Sequence, residues 1–171
     1  ADEANFVQVI TPTDEYIQSN LTNFNYALGL NPKVIWHDSK GFEGFVGKFA
    51  AQSSLQLSRK VLDDQSLNAY NPFSEIADSL LVSSNVYWLN TLFFNRAGTK
   101  FGIDYSYLRN FNKIVITVGP ESRGKDEHKI IFRYKIAKPI TVNGTFIKGN
   151  KSLVSDAFTN KTYFIPYYSA E

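Results

Sequence analysis

The stretch that decides the fold is Phe101-Gly-Ile-Asp-Tyr-Ser-Tyr107, in which bulky and small or polar residues alternate. The bulky side chains occupy every second position, and glycine, aspartate and serine fill the positions between them. Successive side chains of a β-strand point to opposite faces, so this spacing predicts a strand with one apolar and one polar face.

The same period of two recurs along the chain. It is clear in residues 24–30, 45–57 and 130–136, and weaker in residues 34–36, 86–94, 113–119, 140–148 and 163–167. In the segment 130–136, apolar residues at Ile130, Phe132, Tyr134 and Ile136 alternate with Ile131 and two basic residues. Together with the first stretch, these segments predict about nine strands.

Short breaks separate several of these strands. Residues 95–98, 109–112 and 137–139 contain the Asn, Gly or Pro typical of hairpin turns, and the charged residues 119–127 predict a longer turn. Residues 86–148 therefore form a continuous meander in the prediction. We predict an all-β fold, an antiparallel up-and-down meander of about nine strands that forms a barrel or a barrel segment, with a β-sandwich as the alternative.

One segment departs from the period of two. Between about residues 62 and 85, Phe73, Ile76, Ala77 and Leu80 follow a helical spacing, and Ser74 is a candidate N-cap. The length of 171 residues suits one domain. We expect residues 1–171 to be a single all-β domain or a fragment of one, with a loop or short helix inserted at about 62–85.

The composition argues against most catalytic and nucleic-acid functions. The chain has no Cys, which excludes disulfides, thiolate zinc sites and cysteine nucleophiles, and its net charge of +2 is too small to predict a nucleic-acid partner. His37 and Asp38 could form an acid–base pair, but a turn aspartate beside an exposed histidine explains them better. We expect no enzyme, no catalytic residue, no metal site and no cofactor.

Aromatic residues are unusually frequent, with 10 Tyr, 14 Phe and 2 Trp. On the predicted strands the bulky side chains lie on one side only. This pattern is shared by lipid-facing barrel strands and by the inner faces of sandwiches. We expect these side chains to contact lipid, a partner sheet or a neighbouring subunit. The six residues assigned to this contact are Phe101, Ile103, Tyr105, Tyr107, Phe132 and Tyr134.

The alternative is a secreted β-sandwich module that binds carbohydrate or another ligand. Exposed aromatic rings are suitable stacking platforms for such ligands. The candidate stacking residues are Trp36, Tyr87 and Trp88.

Several short motifs in the second half of the chain have a familiar arrangement. They are Asn71-Pro-Phe73, Asn90-Thr-Leu-Phe-Phe-Asn-Arg96, Lys100-Phe-Gly-Ile-Asp104, Gly119-Pro-Glu-Ser-Arg123 and Asn160-Lys-Thr-Tyr163. With these motifs, residues from about 71 to 171 resemble a segment of large, mostly uncharacterised outer-membrane or cell-surface β-rich proteins of Bacteroidetes-type bacteria. The resemblance implies a piece of a longer antiparallel array and brings no catalytic residues with it.

These observations together predict a non-enzymatic β-protein of the bacterial cell envelope, in the outer membrane or at the cell surface. The expected partners are outer-membrane lipid or another envelope protein, with a glycan in the alternative case and no nucleic acid. Secretion is the alternative location.

Overall fold

In a computed structural model of the chain, the described residues are 19–34, 40–62, 76, 80–96, 100–116, 119–137, 140–155 and 162–171. They contain one short α-helix, α1 (Phe42–Val46), one 3-10 turn (Pro32–Val34) and seven strands. The strands are β1 (Asn20–Leu30), β2 (Phe49–Val61), β3 (Leu81–Phe94), β4 (Phe101–Ile116), β5 (Gly119–Ala137), β6 (Ile140–Ser155) and β7 (Tyr163–Ala170).

All seven strands form one sheet in the order in which they occur along the chain. Each strand pairs antiparallel with the next, from β1 with β2 to β6 with β7. The predicted all-β antiparallel up-and-down meander is confirmed. Within the described part of the chain, β1 and β7 are the two edges, so the sheet is not closed, and no second sheet covers it.

The predicted number of strands is wrong for two reasons. Residues 101–107 and 113–119 belong largely to one strand, because the supposed turn at 109–112 lies inside β4. Phe111 in that stretch keeps the alternation, opposite Val86 on β3 and Gly124 on β5. The candidate strand 34–36 begins in the 3-10 turn, and its other residues lie outside the described ranges.

Three other boundaries also change. The charged residues 119–127 form the first half of β5 rather than a turn. Residues 45 and 46 end α1, so the strand predicted from residue 45 begins at Phe49. In the expected insertion, residues 81–85 belong to β3, and Ser74 and most of the helical spacing lie outside the described residues.

The register assigns every strand residue to one of two faces. Phe24, Leu57, Val86, Phe111 and Gly124 are successive cross-strand partners from β1 to β5. Because side chains alternate along each strand, every second residue from these positions lies on the same face. We call this face the aromatic face and the opposite one the polar face.

Little of the described structure is fully enclosed. The buried apolar side chains among the described residues are Leu55, Leu57 and Val61 in the second half of β2 and Leu81 at the start of β3. A single sheet has no second layer to cover its apolar side. Most large apolar side chains therefore stay partly or largely exposed.

Candidate functional site

The six residues predicted to make the apolar contact lie together on the aromatic face. Phe101 is opposite Tyr134, and Ile103 is opposite Phe132, so β4 and β5 present their bulky side chains side by side. The Phe101 and Phe132 ring centroids are 6.1 Å apart, and the Phe132 and Tyr134 rings are stacked at 6.4 Å. The other two residues, Tyr105 and Tyr107, continue the row along β4.

Aromatic packing extends this cluster across the sheet. The ring centroids of Phe49 and Phe94 are 4.8 Å apart, and those of Phe94 and Phe101 are 5.6 Å apart. Four strands therefore contribute to one row of touching rings. Exposed apolar residues beyond the row enlarge the face; these are Tyr26, Leu28, Leu30, Trp88, Leu92, Ile130, Ile136, Ile140, Val142, Phe146, Phe164 and Tyr168.

The apolar residues form a band on the aromatic face, and its position along the strands differs between β1 and β5. Its centre lies at residue 133 on β5, midway between Ile130 and Ile136, and at residue 27 on β1, midway between Phe24 and Leu30. Through the register these centres correspond to Gly102 and to residue 108 on β4, six residues apart. On β2 and β3 the centres lie at residues 53 and 90, which both correspond to Tyr107 on β4. On β7 the centre at residue 166 corresponds to Arg109, so the position of the band changes from strand to strand without a single slope.

Hydrogen-bonded polar residues border the band on the aromatic face. The Tyr105 hydroxyl and His128 Nδ1 are 2.8 Å apart, and the Tyr107 hydroxyl donates to Asp126 Oδ1 at 3.2 Å. Arg109 Nε lies 3.8 Å from the same Asp126 oxygen. Desolvation of the Tyr107 hydroxyl, together with the nearby Asp126 carboxylate, raises the pKa of Tyr107. These side chains form a polar belt, defined here as Tyr107, Arg109, Asp126 and His128.

The polar face carries ion pairs together with a few rings, such as Phe93 and Tyr167. Arg133 Nη2 donates to Asp104 Oδ1 at 2.9 Å, and Arg123 pairs with Glu121 at 2.8 Å. Gly102 lets Arg133 approach, because a Cβ there would lie 3.2 Å from Nη2. Charged side chains are stable where water reaches them, and placing them in contact with hydrocarbon costs free energy.

A second cluster on the polar face joins β5, β6 and β7. Glu127 Oε2 accepts hydrogen bonds from the Tyr167 hydroxyl at 2.6 Å and pairs with Lys125 Nζ at 2.7 Å. The hydrogen bond from Lys125, followed by that from Tyr167, lowers the pKa of Glu127, and the bond to Glu127 raises the pKa of Lys125. The Tyr167 ring covers Gly149, where any Cβ would collide with it.

A groove opens on the aromatic face beside the polar belt, with a volume of about 640 Å³. Its walls come from β1 to β4, and its floor includes the buried Leu55 and Leu57. Two arginines, Arg59 and Arg109, also line it. Burial removes water from the Arg59 guanidinium and lowers the pKa of Arg59. The remaining lining residues are Phe24, Tyr26, Ser53, Val86, Trp88 and Phe111.

The three candidate stacking residues do not form one platform. Trp88 lies on the aromatic face and lines the groove, whereas Tyr87, the preceding residue on β3, points to the polar face. Trp36 lies outside the described residues, as do His37 and Asp38. His128 lies on β5 against the Tyr107 ring.

No group of three or more His, Asp or Glu residues in the described ranges is arranged to hold a metal ion. Among the same residues, no helix has the length and apolar character needed to cross a bilayer.

Sequence reasoning missed the groove and its two arginines. Arg109 was assigned to a turn, and Arg59 follows the apolar segment 45–57 without any motif. The signal was present in the period of two, since Leu55, Leu57 and Arg59 continue one face of the strand. Only the cross-strand register shows that Trp88 and Arg109 are directly opposite and therefore share that face.

No family model, curated protein or solved structure matches the chain.

Proposed function

We propose that this chain is a non-enzymatic component of a bacterial cell envelope, forming part of an outer-membrane β-barrel wall whose aromatic face contacts lipid. The apolar band on one face of a single sheet, with the ion pairs on the opposite face, is the observation that supports it best. Transmembrane strands alternate apolar side chains toward lipid with polar side chains toward the lumen. β4 and β5 alternate in this way over residues 101–107 and 130–136.

The lengths of β1 to β6, which range from 11 to 19 residues, agree with this proposal, whereas β7 has 8 residues. A spanning strand needs about 9–11 residues. β4 has 16 residues and β5 has 19. Strands of this length can cross the hydrocarbon and extend beyond it. On β5 the polar belt begins at His128, next to Ile130, where the apolar residues of that strand end.

The polar face suits the water-facing side of the same wall. Its ion pairs, such as Arg133 with Asp104, would be costly in lipid and are inexpensive in a hydrated lumen. The edge strands β1 and β7 each pair with one neighbour within the described residues. Their remaining backbone groups can pair with further strands of an envelope partner, which closure of a wall would require.

A secreted ligand-binding module is the second candidate, and the position of Trp88 in the groove is the observation in its favour. It has less support than the first. Tyr87 lies on the other face, and the described residues supply one sheet rather than the two of a sandwich.

The proposal is tested by refolding the chain with and without a mild detergent. Far-UV circular dichroism and size-exclusion chromatography with light scattering would report the fold and the size of the particle. We expect a folded β-rich species only when detergent or lipid covers the aromatic face. A folded, soluble monomer in detergent-free buffer would reject the membrane wall and favour the secreted module.

A further inference from the structure

A second depression in the surface lies at the end of the sheet where β3 and β5 end and β4 and β6 begin. Its volume is about 300 Å³. Gly102, Arg133 and Lys135 line it and lie on the polar face. We call it the basic pocket, because its charged lining residues are Arg96, Lys100, Arg133 and Lys135.

Most of the positive charge in the basic pocket is not neutralised by a carboxylate. Arg133 is paired, since its Nη2 donates to Asp104 Oδ1 at 2.9 Å. No ion pair joins Arg96, Lys100 or Lys135 to a carboxylate of the described residues. Arg96 lies over the Phe93 ring at 4.3 Å, a contact that leaves its charge in place.

The next carboxylate on this side of the described sheet is too distant to change this balance. Glu171 is opposite Thr145 on β6, and Lys135 is opposite Thr141 on the same strand. Four residues of strand correspond to about 13 Å, more than the Debye length at physiological salt. Three uncompensated cations at one pocket therefore favour an anionic ligand.

Two of the cations are held directly opposite each other. The Lys135 amide donates to the Lys100 carbonyl at 2.7 Å, which continues the pairing of β4 with β5 by one residue. Side chains at opposite positions of neighbouring strands lie close together, and like charges there are destabilising. An anion between the two ammonium groups would relieve that repulsion.

We infer that the basic pocket binds the phosphate group of a small, soluble phosphate monoester, with the phosphate between Lys100 and Lys135. Such a group carries about two negative charges at neutral pH and has three strong acceptor oxygens. The Thr141 hydroxyl, opposite Lys135, is a further donor. The inference goes beyond the proposed function, because the site lies on the polar face and does not depend on what covers the aromatic face.

The lining favours this ligand over a carboxylate or a lipid. A single carboxylate would compensate one of the three charges, whereas a phosphate compensates about two. The lining also includes Asn95, whose side-chain oxygen can accept a hydrogen bond from a hydroxyl of the esterified group. The large apolar residue in the lining is Phe101, and its ring packs on the rings of Phe94 and Phe132, so no surface is left for an acyl chain.

The test is isothermal titration calorimetry of the full chain, refolded in a mild non-ionic detergent at low ionic strength. The probe is glycerol 3-phosphate, and glycerol, glycerate and inorganic phosphate are the comparison ligands. The variants are Lys100→Gln and Lys135→Gln. Lys60→Gln is the matched control, because Lys60 is an exposed lysine on the polar face, opposite Ser83 near the other end of β3, and its loss changes the net charge equally.

We expect one glycerol 3-phosphate per chain, bound at least about threefold more tightly than glycerate, and no binding of glycerol. Each pocket variant should weaken binding by about threefold to fivefold, as expected for exposed ion pairs, and Lys60→Gln should leave it unchanged. Equal binding of glycerate and glycerol 3-phosphate by the unmodified chain would overturn the inference even if a variant failed to fold. Inorganic phosphate bound as tightly as glycerol 3-phosphate, or an equal loss in Lys60→Gln, would also overturn it.

The outcome is separable from that of the proposed function. A chain that folds only in detergent and does not bind glycerol 3-phosphate would keep the membrane wall and lose the basic pocket as a site. A chain that is a soluble monomer and binds glycerol 3-phosphate in detergent-free buffer would keep the site and lose the wall.

Discussion

Replacing Phe132 by aspartate should remove much of the stability of the sheet in lipid. An aromatic side chain has about 150–250 Å² to bury. Phe132 keeps 40% of its surface exposed, so about 120 Å² packs on neighbouring strands and roughly 80 Å² is left for lipid. At about 25 cal/mol/Å², these areas correspond to about 3 and 2 kcal/mol, or about 5 kcal/mol in total before the cost of the charge.

The measurement is urea unfolding of the chain in phospholipid vesicles, followed by circular dichroism. Asn110→Asp is the matched control, because Asn110 is exposed on the polar face of β4 and the change in charge is the same. Phe132→Leu keeps an apolar side chain and should cost less than about 1.5 kcal/mol. If Phe132→Asp destabilises the protein no more than Asn110→Asp does, the assignment of Phe132 to a lipid contact is refuted.

Three further predictions concern the polar face. Gly149→Ala should destabilise the protein by about 1–3 kcal/mol, because the new Cβ collides with the Tyr167 ring. In urea unfolding, Gly149→Ala should cost much less when it is introduced into the Tyr167→Ala variant, which lacks that ring. Because the pKa of Glu127 is lowered in the folded protein, ionised Glu127 should stabilise the fold above the ordinary glutamate pKa of about 4.3, and this stabilisation should be lost as the pH falls through the folded pKa. The measurement is the free energy of unfolding as a function of pH for the unmodified chain and for Glu127→Gln. An equal loss of stability in acid for both proteins would contradict this. A double-mutant cycle on Asp104→Ala and Arg133→Ala should give a coupling of about 1 kcal/mol, and strictly additive losses would show that the ion pair contributes nothing.

Much of the fold could be predicted from alternation alone, because the period of two is a local property of each strand. Phe101, Tyr105 and Phe132 were assigned to one apolar face, and the register places them there. The hairpin breaks after Phe94 and Ala137 also separate strands as predicted. The local pattern was sufficient to predict a strand boundary wherever the strand ends at turn-forming residues.

Local pattern failed where polar residues continue a strand. Residues 109–112 have the composition of a turn, yet Arg109 pairs across the sheet with Trp88 and Asp126, and the strand continues. The charged residues 119–127 look solvated, yet the ion pair of Lys125 with Glu127 joins residues two apart on one face of a strand. Cross-strand partners decide such cases, and they are distant in sequence.

The groove could not be predicted for the same reason. Its residues come from four strands; β2 contributes four of them and each of the other three strands contributes two. Neither Arg59 nor Trp88 lies in a recognisable motif. Their common position follows from the register of β1 to β4, which no single segment specifies.

The most direct test of the lipid-facing wall is quenching of tryptophan fluorescence by brominated phospholipids. Trp36 and Trp88 would be replaced by Phe, and a single Trp introduced as Ile130→Trp on the aromatic face or as Lys129→Trp on the polar face. These neighbouring positions on β5 lie at nearly the same depth and point to opposite faces. We expect strong quenching at position 130 and little at position 129. Equal quenching at the two positions, or none at position 130, would contradict the proposal that the aromatic face contacts lipid.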